Sequence, residues 1–213
     1  MKRILKANED KADEIRKTLA EKKILMVNLI SSPGSGKTSL LDKTLGTLKN
    51  TYRMAVIEGD VATDRDAQRL KQHDLPIVLI NTEGGCHLNS MSIEKALSEL
   101  DLANLDIVFV ENVGNLVCPS GFDLGEAAKV ALVSVPEGED KPIKYPMLFR
   151  KAEIVLLNKI DLLEHLPYDI NLFYDCMQNL NNEVPILEIS CINEQGLAQW
   201  FDWLKEKRAS CLT

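Results

Sequence analysis

The stretch Ser31-Ser32-Pro33-Gly34-Ser35-Gly36-Lys37-Thr38 carries the residue types that grip a polyphosphate. In a phosphate-binding loop, backbone N–H groups curl around the phosphates, a lysine reaches the outer ones and the next hydroxyl ligates Mg²⁺. Lys37 and Thr38 stand where those roles require. Ser31 holds the place of the usual first glycine, while Gly34 and Gly36 let backbone approach phosphate. The nucleotide-binding set expected here is Ser32, Pro33, Gly34, Ser35, Gly36, Lys37, Thr38 and Ser39.

A second group of residues points to the base. Asn158-Lys159-Ile160-Asp161 directly follows an apolar run. Guanine offers two neighbouring N–H donors that one carboxylate, Asp161, can accept together, and adenine offers neither. Such a site rejects the wrong base by roughly 10⁴, because the carboxylate would be left unpaired. Ser190 and Cys191, after the last apolar run, are expected to lie against the base. GTP and GDP are therefore the expected nucleotides.

At the phosphate end, Glu111 or Asp60 is expected in the Mg²⁺ shell with Thr38, and the Gly114 amide at the γ-phosphate. The catalytic set is thus Lys37, Thr38, Asp60, Glu111 and Gly114. Asn115 occupies the place next to Gly114 where many GTPases carry a water-orienting glutamine, and no arginine can be assigned as a finger. Turnover below the ordinary enzyme value of ~10 s⁻¹ is expected.

Cys86, His87 and Cys118 suit a softer metal, since thiolate and imidazole favour Zn²⁺, Ni²⁺ or copper over Mg²⁺. An ordinary thiol and an ordinary polar histidine are the alternative. Adjacent side chains diverge in extended backbone, so Cys86 and His87 share one ion only if Gly84-Gly85 turns them. One chain then offers three soft ligands at most, and a symmetric dimer would bring two sets together. Cys118 lies four residues after Gly114, so a loop that moves on GTP hydrolysis would drag Cys118 with it and couple the two affinities reciprocally.

These residues need a scaffold that places loops side by side. The apolar runs Ile24–Ile30, Met54–Glu58, Ile77–Ile80, Asp106–Val110, Val130–Val135, Ile154–Leu157 and Ile186–Ile189 read as strands. Helical patterns fall between them: from the loop to about Leu48, then Asp64–Gln72, Ser90–Leu100, Asn171–Leu180 and Leu197–Arg208. Alternation of this kind means an α/β fold, a P-loop NTPase with a mostly parallel sheet and helices on both faces in three α/β/α layers. Ligands then gather at the carboxyl ends of the strands. Asn8 is expected to cap a first helix, Glu9 to about Lys22, with Ile15 and Leu19 its only apolar stripe, lying on the surface or at a partner. Residues 136–142 are the one candidate linker, too short to separate domains. The expectation is a single G domain over residues 1–213, with the helix of residues 1–23 as an extension.

Composition narrows the partners. Of 213 residues, 45% are apolar, enough to cover a sheet on both faces. A net charge of −7 without a basic block disfavours nucleic acid. No apolar run reaches membrane-spanning length and the start lacks a signal-peptide core, so a cytoplasmic protein with no membrane partner is expected. Five cysteines without paired spacing fit free thiols.

The segments around these residues resemble the HypB family, the nickel-incorporation GTPases of nickel–iron hydrogenase maturation. The likeness runs from about Ile24 to Leu204 through the phosphate loop, Glu58-Gly59-Asp60, Gly85-Cys86-His87-Leu88, residues 111–119, residues 137–142 and Asn158–Asp161; residues 111–119 are the most specific. The resemblance implies a GTPase of the signal-recognition-like, nickel-chaperone (SIMIBI) class that dimerises with GTP. It implies that Cys86, His87 and Cys118 form a Ni²⁺ or Zn²⁺ site at the dimer interface. It also implies a HypA-type metallochaperone partner and delivery of nickel towards the hydrogenase large subunit. Some members carry an N-terminal cysteine-rich or histidine-rich nickel tract; the first 30 residues here hold neither Cys nor His, so only the G-domain site is expected. Cys176 and Cys211 match no motif. The alternatives are a urease or cobalamin-enzyme accessory GTPase, an ATP-dependent small-molecule kinase and a nucleotide-binding scaffold. Urease-type proteins are expected to carry Cys-Pro-His, whereas this chain has Cys118-Pro119-Ser120.

Overall fold

The computed structural model describes residues 2–59, 69–82 and 84–212. Seven strands form its sheet: β1 Leu25–Ser31, β2 Met54–Glu58, β3 Ile77–Leu79, β4 Ile107–Glu111, β5 Ala128–Ser134, β6 Ile154–Asn158 and β7 Ile186–Ile189. They run in the order β3-β2-β4-β1-β5-β6-β7, and every pairing is parallel. β1, β2, β4, β5 and β6 are buried along their whole length, as expected of parallel strands covered on both faces. The order reverses at β1, so the crevice at its carboxyl end lies between β4 and β5, where an open α/β sheet takes its ligands.

Alternation along β1 sends Leu25, Val27 and Leu29 to one face and Met26 and Ile30 to the other. The first face packs on α2 (Lys37–Leu48) and on the C-terminal helix of residues Leu197–Ser210 through Leu40, Leu41, Leu45, Trp200 and Leu204. The buried Trp200 indole donates to Thr44 Oγ1 at 2.9 Å, which spares its N–H an unpaired burial. The second face packs on α1 (Lys2–Glu21) and α3 (Ser90–Ser98), and further along on residues 146–151 and 170–180.

The first helix corrects two expectations. It begins at Lys2, so Asn8 lies inside it instead of capping it. Its buried stripe is Asn8, Ala12, Ile15 and Leu19, spaced four, three and four residues apart on one face. An apolar count misses Asn8, which earns burial by bonding: its Nδ2 donates to Asp123 O at 2.8 Å and its Oδ1 accepts from Ser90 N at 2.9 Å. α1 therefore covers the sheet and clamps the start of α3.

Residues 136–142 are not a linker. A 3₁₀ turn at Val135–Glu137 and a short helix, α5 at Lys141–Lys144, fold them against the strand ends, after α4 at Cys118–Gly121 and before α6 at Pro146–Lys151. The expected α3 stops at Ser98 and β4 extends to Glu111, shifts of a residue or two. Asp60 and most of the helix expected at Asp64–Gln72 lie outside the described residues. Among the described residues no helix is long and apolar enough to cross a membrane.

Candidate nucleotide and metal site

Residues 32–36 join β1 to α2, and the loop is built on two left-handed glycines, Gly34 at φ +78° and Gly36 at φ +102°. A Cβ on Gly36 would stand 2.5 Å from Asn158 Nδ2, so both conformation and space require glycine there. Gly36 is the N-cap of α2 and no side chain caps that helix end, which leaves its first-turn N–H groups and the positive end of its dipole facing the loop. Lys37 is buried and its Nζ donates to Ser31 Oγ at 2.9 Å, so the serine in the place of the first glycine holds the lysine against the loop.

Register puts the next groups alongside. β4 pairs with β1 so that Glu111 stands opposite Leu29, and its Oε1 accepts from Thr38 Oγ1 at 2.9 Å. A hydroxyl and a carboxylate this close are the hard oxygen donors that suit Mg²⁺. Gly114 abuts the loop, since a Cβ there would lie 2.9 Å from Pro33 Cγ.

The residues after β6 divide their work. Asn158 Nδ2 donates to Ser35 O at 2.8 Å, and Lys159, at φ +62°, donates from Nζ to Gly34 O at 2.7 Å. Both side chains brace the phosphate loop from behind. Asp161 instead meets the loop after β7, accepting from Ser190 Oγ at 2.5 Å. Burial pushes the half-buried Cys191 thiol up to about 11, so it stays protonated and neutral at pH 7. Sequence reasoning missed Glu137, whose Oε1 accepts from Ser35 Oγ at 2.6 Å and from Ser134 N and Oγ at 2.8 Å each. Its signal was an acidic residue three after a serine at a strand end, the pattern of a capping box.

The soft ligands converge. Gly85 N bonds to Thr82 O at 2.8 Å and Gly84 takes φ +84°, which turns the chain so that Cys86 Sγ and His87 Nδ1 stand 3.4 Å apart. Cys118, at the start of α4, completes a trio whose ligand atoms lie within 4.8 Å of one another. Zn–S bonds of about 2.3 Å put tetrahedral ligands about 3.7 Å apart, so closure of about 1 Å would seat an ion. Phe122 stacks on the His87 ring at 3.8 Å, and burial lowers the imidazole's proton affinity, keeping a neutral lone pair at pH 7. A hydrogen bond shared with Cys118, then burial, raises the Cys86 thiol, so a cation bound there would have to displace its proton. The Asn115 side chain belongs to this loop: it accepts from Val117 N at 2.8 Å and donates to Cys86 O at 3.4 Å.

A parallel sheet switching direction at a glycine loop, with a lysine and a hydroxyl opening the next helix, defines a P-loop nucleotide-binding protein. The chain belongs to the CobW/HypB/UreG family of nucleotide-binding domains, whose model matches residues 25–188, and within it to the HypB hydrogenase maturation factors. It is 47% identical over 207 residues to hydrogenase maturation factor HypB of Escherichia coli K12, covering 97% of this chain and 71% of that one. Hydrogenase maturation factor HypB of Archaeoglobus fulgidus superposes with a TM-score of 0.91 at 32% identity, covering 96% of this chain and all of the other. HypB of Helicobacter pylori, solved in complex with nickel, gives 0.90 at 36% identity over 96% of each chain.

Proposed function

We propose that this protein is a GTP-hydrolysing nickel carrier of hydrogenase maturation in which the nucleotide state gates the metal site. The observation that carries this reading is the position of the soft trio: Cys86 and His87, from the loop after β3, converge with Cys118, from the loop after β4, and Gly114, only four residues before Cys118, lies against Pro33 of the phosphate loop. Residues 1–213 act as a single G domain.

In this reading Asp161 accepts the two guanine donors, with Ser190 fixing the carboxylate and Cys191 walling the base. The N–H groups of Gly34 to Ser39 and the Lys37 ammonium bind the β- and γ-phosphates. Thr38 and Glu111 would hold Mg²⁺, with Asp60 the further candidate; when bound, that ion neutralises charge on the transferring phosphoryl. The Gly114 amide senses the γ-phosphate. The Asn115 side chain is committed to Val117 and Cys86, which supports slow intrinsic hydrolysis because it is turned away from an attacking water.

Nickel is the cargo, and zinc fits the same donors. Three ligands leave one position of a four-coordinate site open for transfer. GTP-driven dimerisation closes two such trios together, and exposed Met91 and Val117, on the segments that carry His87 and Cys118, supply apolar surface for that contact. A HypA-type partner would exchange metal at the open position on the way to the hydrogenase large subunit, in the cytoplasm. Nickel and zinc binding measured with GDP–Mg²⁺ and with a non-hydrolysable GTP analogue tests the reading: affinities should differ about tenfold or more and both vanish in Cys118→Ser. Equal affinities in the two states would sink the gating.

A further inference from the structure

One polar side chain sits where the sheet should be apolar. Asn28 lies in the middle of β1, fully buried, on the face where its neighbours are Met26 and Ile30. An amide there is costly unless its bonds are made, and both of its side-chain bonds lead towards the metal loops.

We propose that Asn28 is the positioning residue through which the phosphate site and the metal site are coupled, an inference that rests on the nucleotide-gated reading above. Asn28 Oδ1 accepts from Asn112 Nδ2 at 3.1 Å, and Asn112, also fully buried, directly follows Glu111. Asn112 Oδ1 accepts from Val113 N at 2.9 Å and from Leu88 N at 3.4 Å, the amide next to His87. That is one arm, from the Thr38–Glu111 pair to the Cys86–His87 loop.

The second arm leaves from the other end of the same amide. Asn28 Nδ2 donates to Glu126 Oε1 at 3.1 Å; the Lys129 ammonium lies 3.2 Å from that oxygen and donates to Phe122 O at 3.3 Å. Glu126 Oε2 accepts from Leu124 N at 2.7 Å. Phe122 stacks on His87, and its N–H bonds to Pro119 O at 3.3 Å in the turn that begins at Cys118. The two arms therefore meet at the metal trio and close a ring whose fixed point is a central strand. The Lys129 and Glu126 side chains are 10% and 5% exposed, so a lost partner is costly there and the ring favours discrete arrangements. A shift of Glu111 and Asn112 on γ-phosphate binding pulls on both arms at once, moving Cys86–His87 and Cys118 relative to each other.

The test is the ratio of Ni²⁺ affinities, measured by competition with a chromophoric chelator, between the GDP–Mg²⁺ and GTP-analogue–Mg²⁺ forms of the full chain. Wild type is expected to give a ratio of about ten or more. Asn28→Leu, close in volume but apolar, is expected to bring the ratio within about threefold of one while nucleotide affinity and GDP-state nickel affinity stay within about threefold of wild type. A merely structural role would lower the unfolding temperature and leave the ratio intact. Should Asn28→Leu not fold, Lys129→Met cuts the second arm and is expected to reduce the ratio at least threefold. A wild-type ratio retained in the folded variant overturns the inference alone; a wild-type ratio near one overturns the gating reading and the inference with it.

Discussion

Replacing Asp161 by asparagine should change which base the protein takes. The carboxylate is held by one short bond from Ser190 Oγ, itself fixed by Ile192 N at 3.2 Å and Asn193 N at 3.4 Å. A carboxylate has about four acceptor positions, so the Ser190 bond leaves room for both guanine donors. Hydrogen bonds to a charged acceptor contribute about 1.5–3 kcal/mol each. Asparagine keeps the oxygen that serves Ser190 but turns an N–H towards a guanine donor. The loss is therefore about 3–6 kcal/mol, or roughly 10²- to 10⁴-fold in affinity. Xanthine carries a carbonyl where guanine has its amino group, so the new amide should donate to it and XDP should recover much of the loss. Displacement of a fluorescent GDP analogue by GDP, XDP and ADP reads all three affinities. The reasoning fails if Asp161→Asn binds GDP within threefold of wild type, or if wild type binds ADP as well as GDP.

Other substitutions probe the remaining parts. Gly114→Ala puts a Cβ 2.9 Å from Pro33 Cγ and should weaken binding of a GTP analogue about tenfold more than binding of GDP; equal losses for both would deny Gly114 its γ-phosphate role. Glu137→Ala strands the Ser134 N–H and hydroxyl and releases Ser35 Oγ, at a cost of about 1–3 kcal/mol, and should lower both the unfolding temperature and nucleotide affinity, as thermal melts with and without GDP would reveal. Hydrogen bonds from Arg53 and then Arg208 hold the Asp106 carboxyl well below the ordinary carboxylate range. Because the folded value is depressed, that contribution is complete above the unfolded pKa of about 3.9 and fades as pH falls below it. Asp106→Asn should thus lower stability at pH 7 by about 2–3 kcal/mol and flatten the acid limb of a stability–pH curve; an unchanged limb would contradict this.

The scaffold was legible because its signals are local. Seven apolar runs, each bounded by turn residues, announce buried parallel strands, and Gly34-Ser35-Gly36-Lys37-Thr38 announces what the first of them presents. Cys86, His87 and Cys118 were visible as residue types, but their convergence needed the turn at Gly84-Gly85 and the start of α4, which spacing does not specify. What stayed hidden depends on partners far along the chain. Asn8 answers to Asp123 and Ser90, and Asn28 answers to residues 84 and 98 positions away, so neither shows in an amphipathic pattern. Glu137 lay in a run of glycine, proline and charge that reads as linker, yet the phosphate loop folds against its carboxylate. Asn158 and Lys159 read from the sequence as part of the base-end segment, but the bonds from their side chains to the carbonyls of Ser35 and Gly34 join residues 123 and 125 positions apart and leave no local signal.

The central claim is that nucleotide state and metal site form one device. Its most direct test is solution mass and bound metal measured together, with GDP–Mg²⁺ and with a non-hydrolysable GTP analogue and Mg²⁺, in the presence of Ni²⁺. The account predicts a dimer with the analogue, a changed nickel affinity and loss of that nickel in Cys118→Ala. A monomer in both states, holding the same nickel with the same affinity, would contradict it.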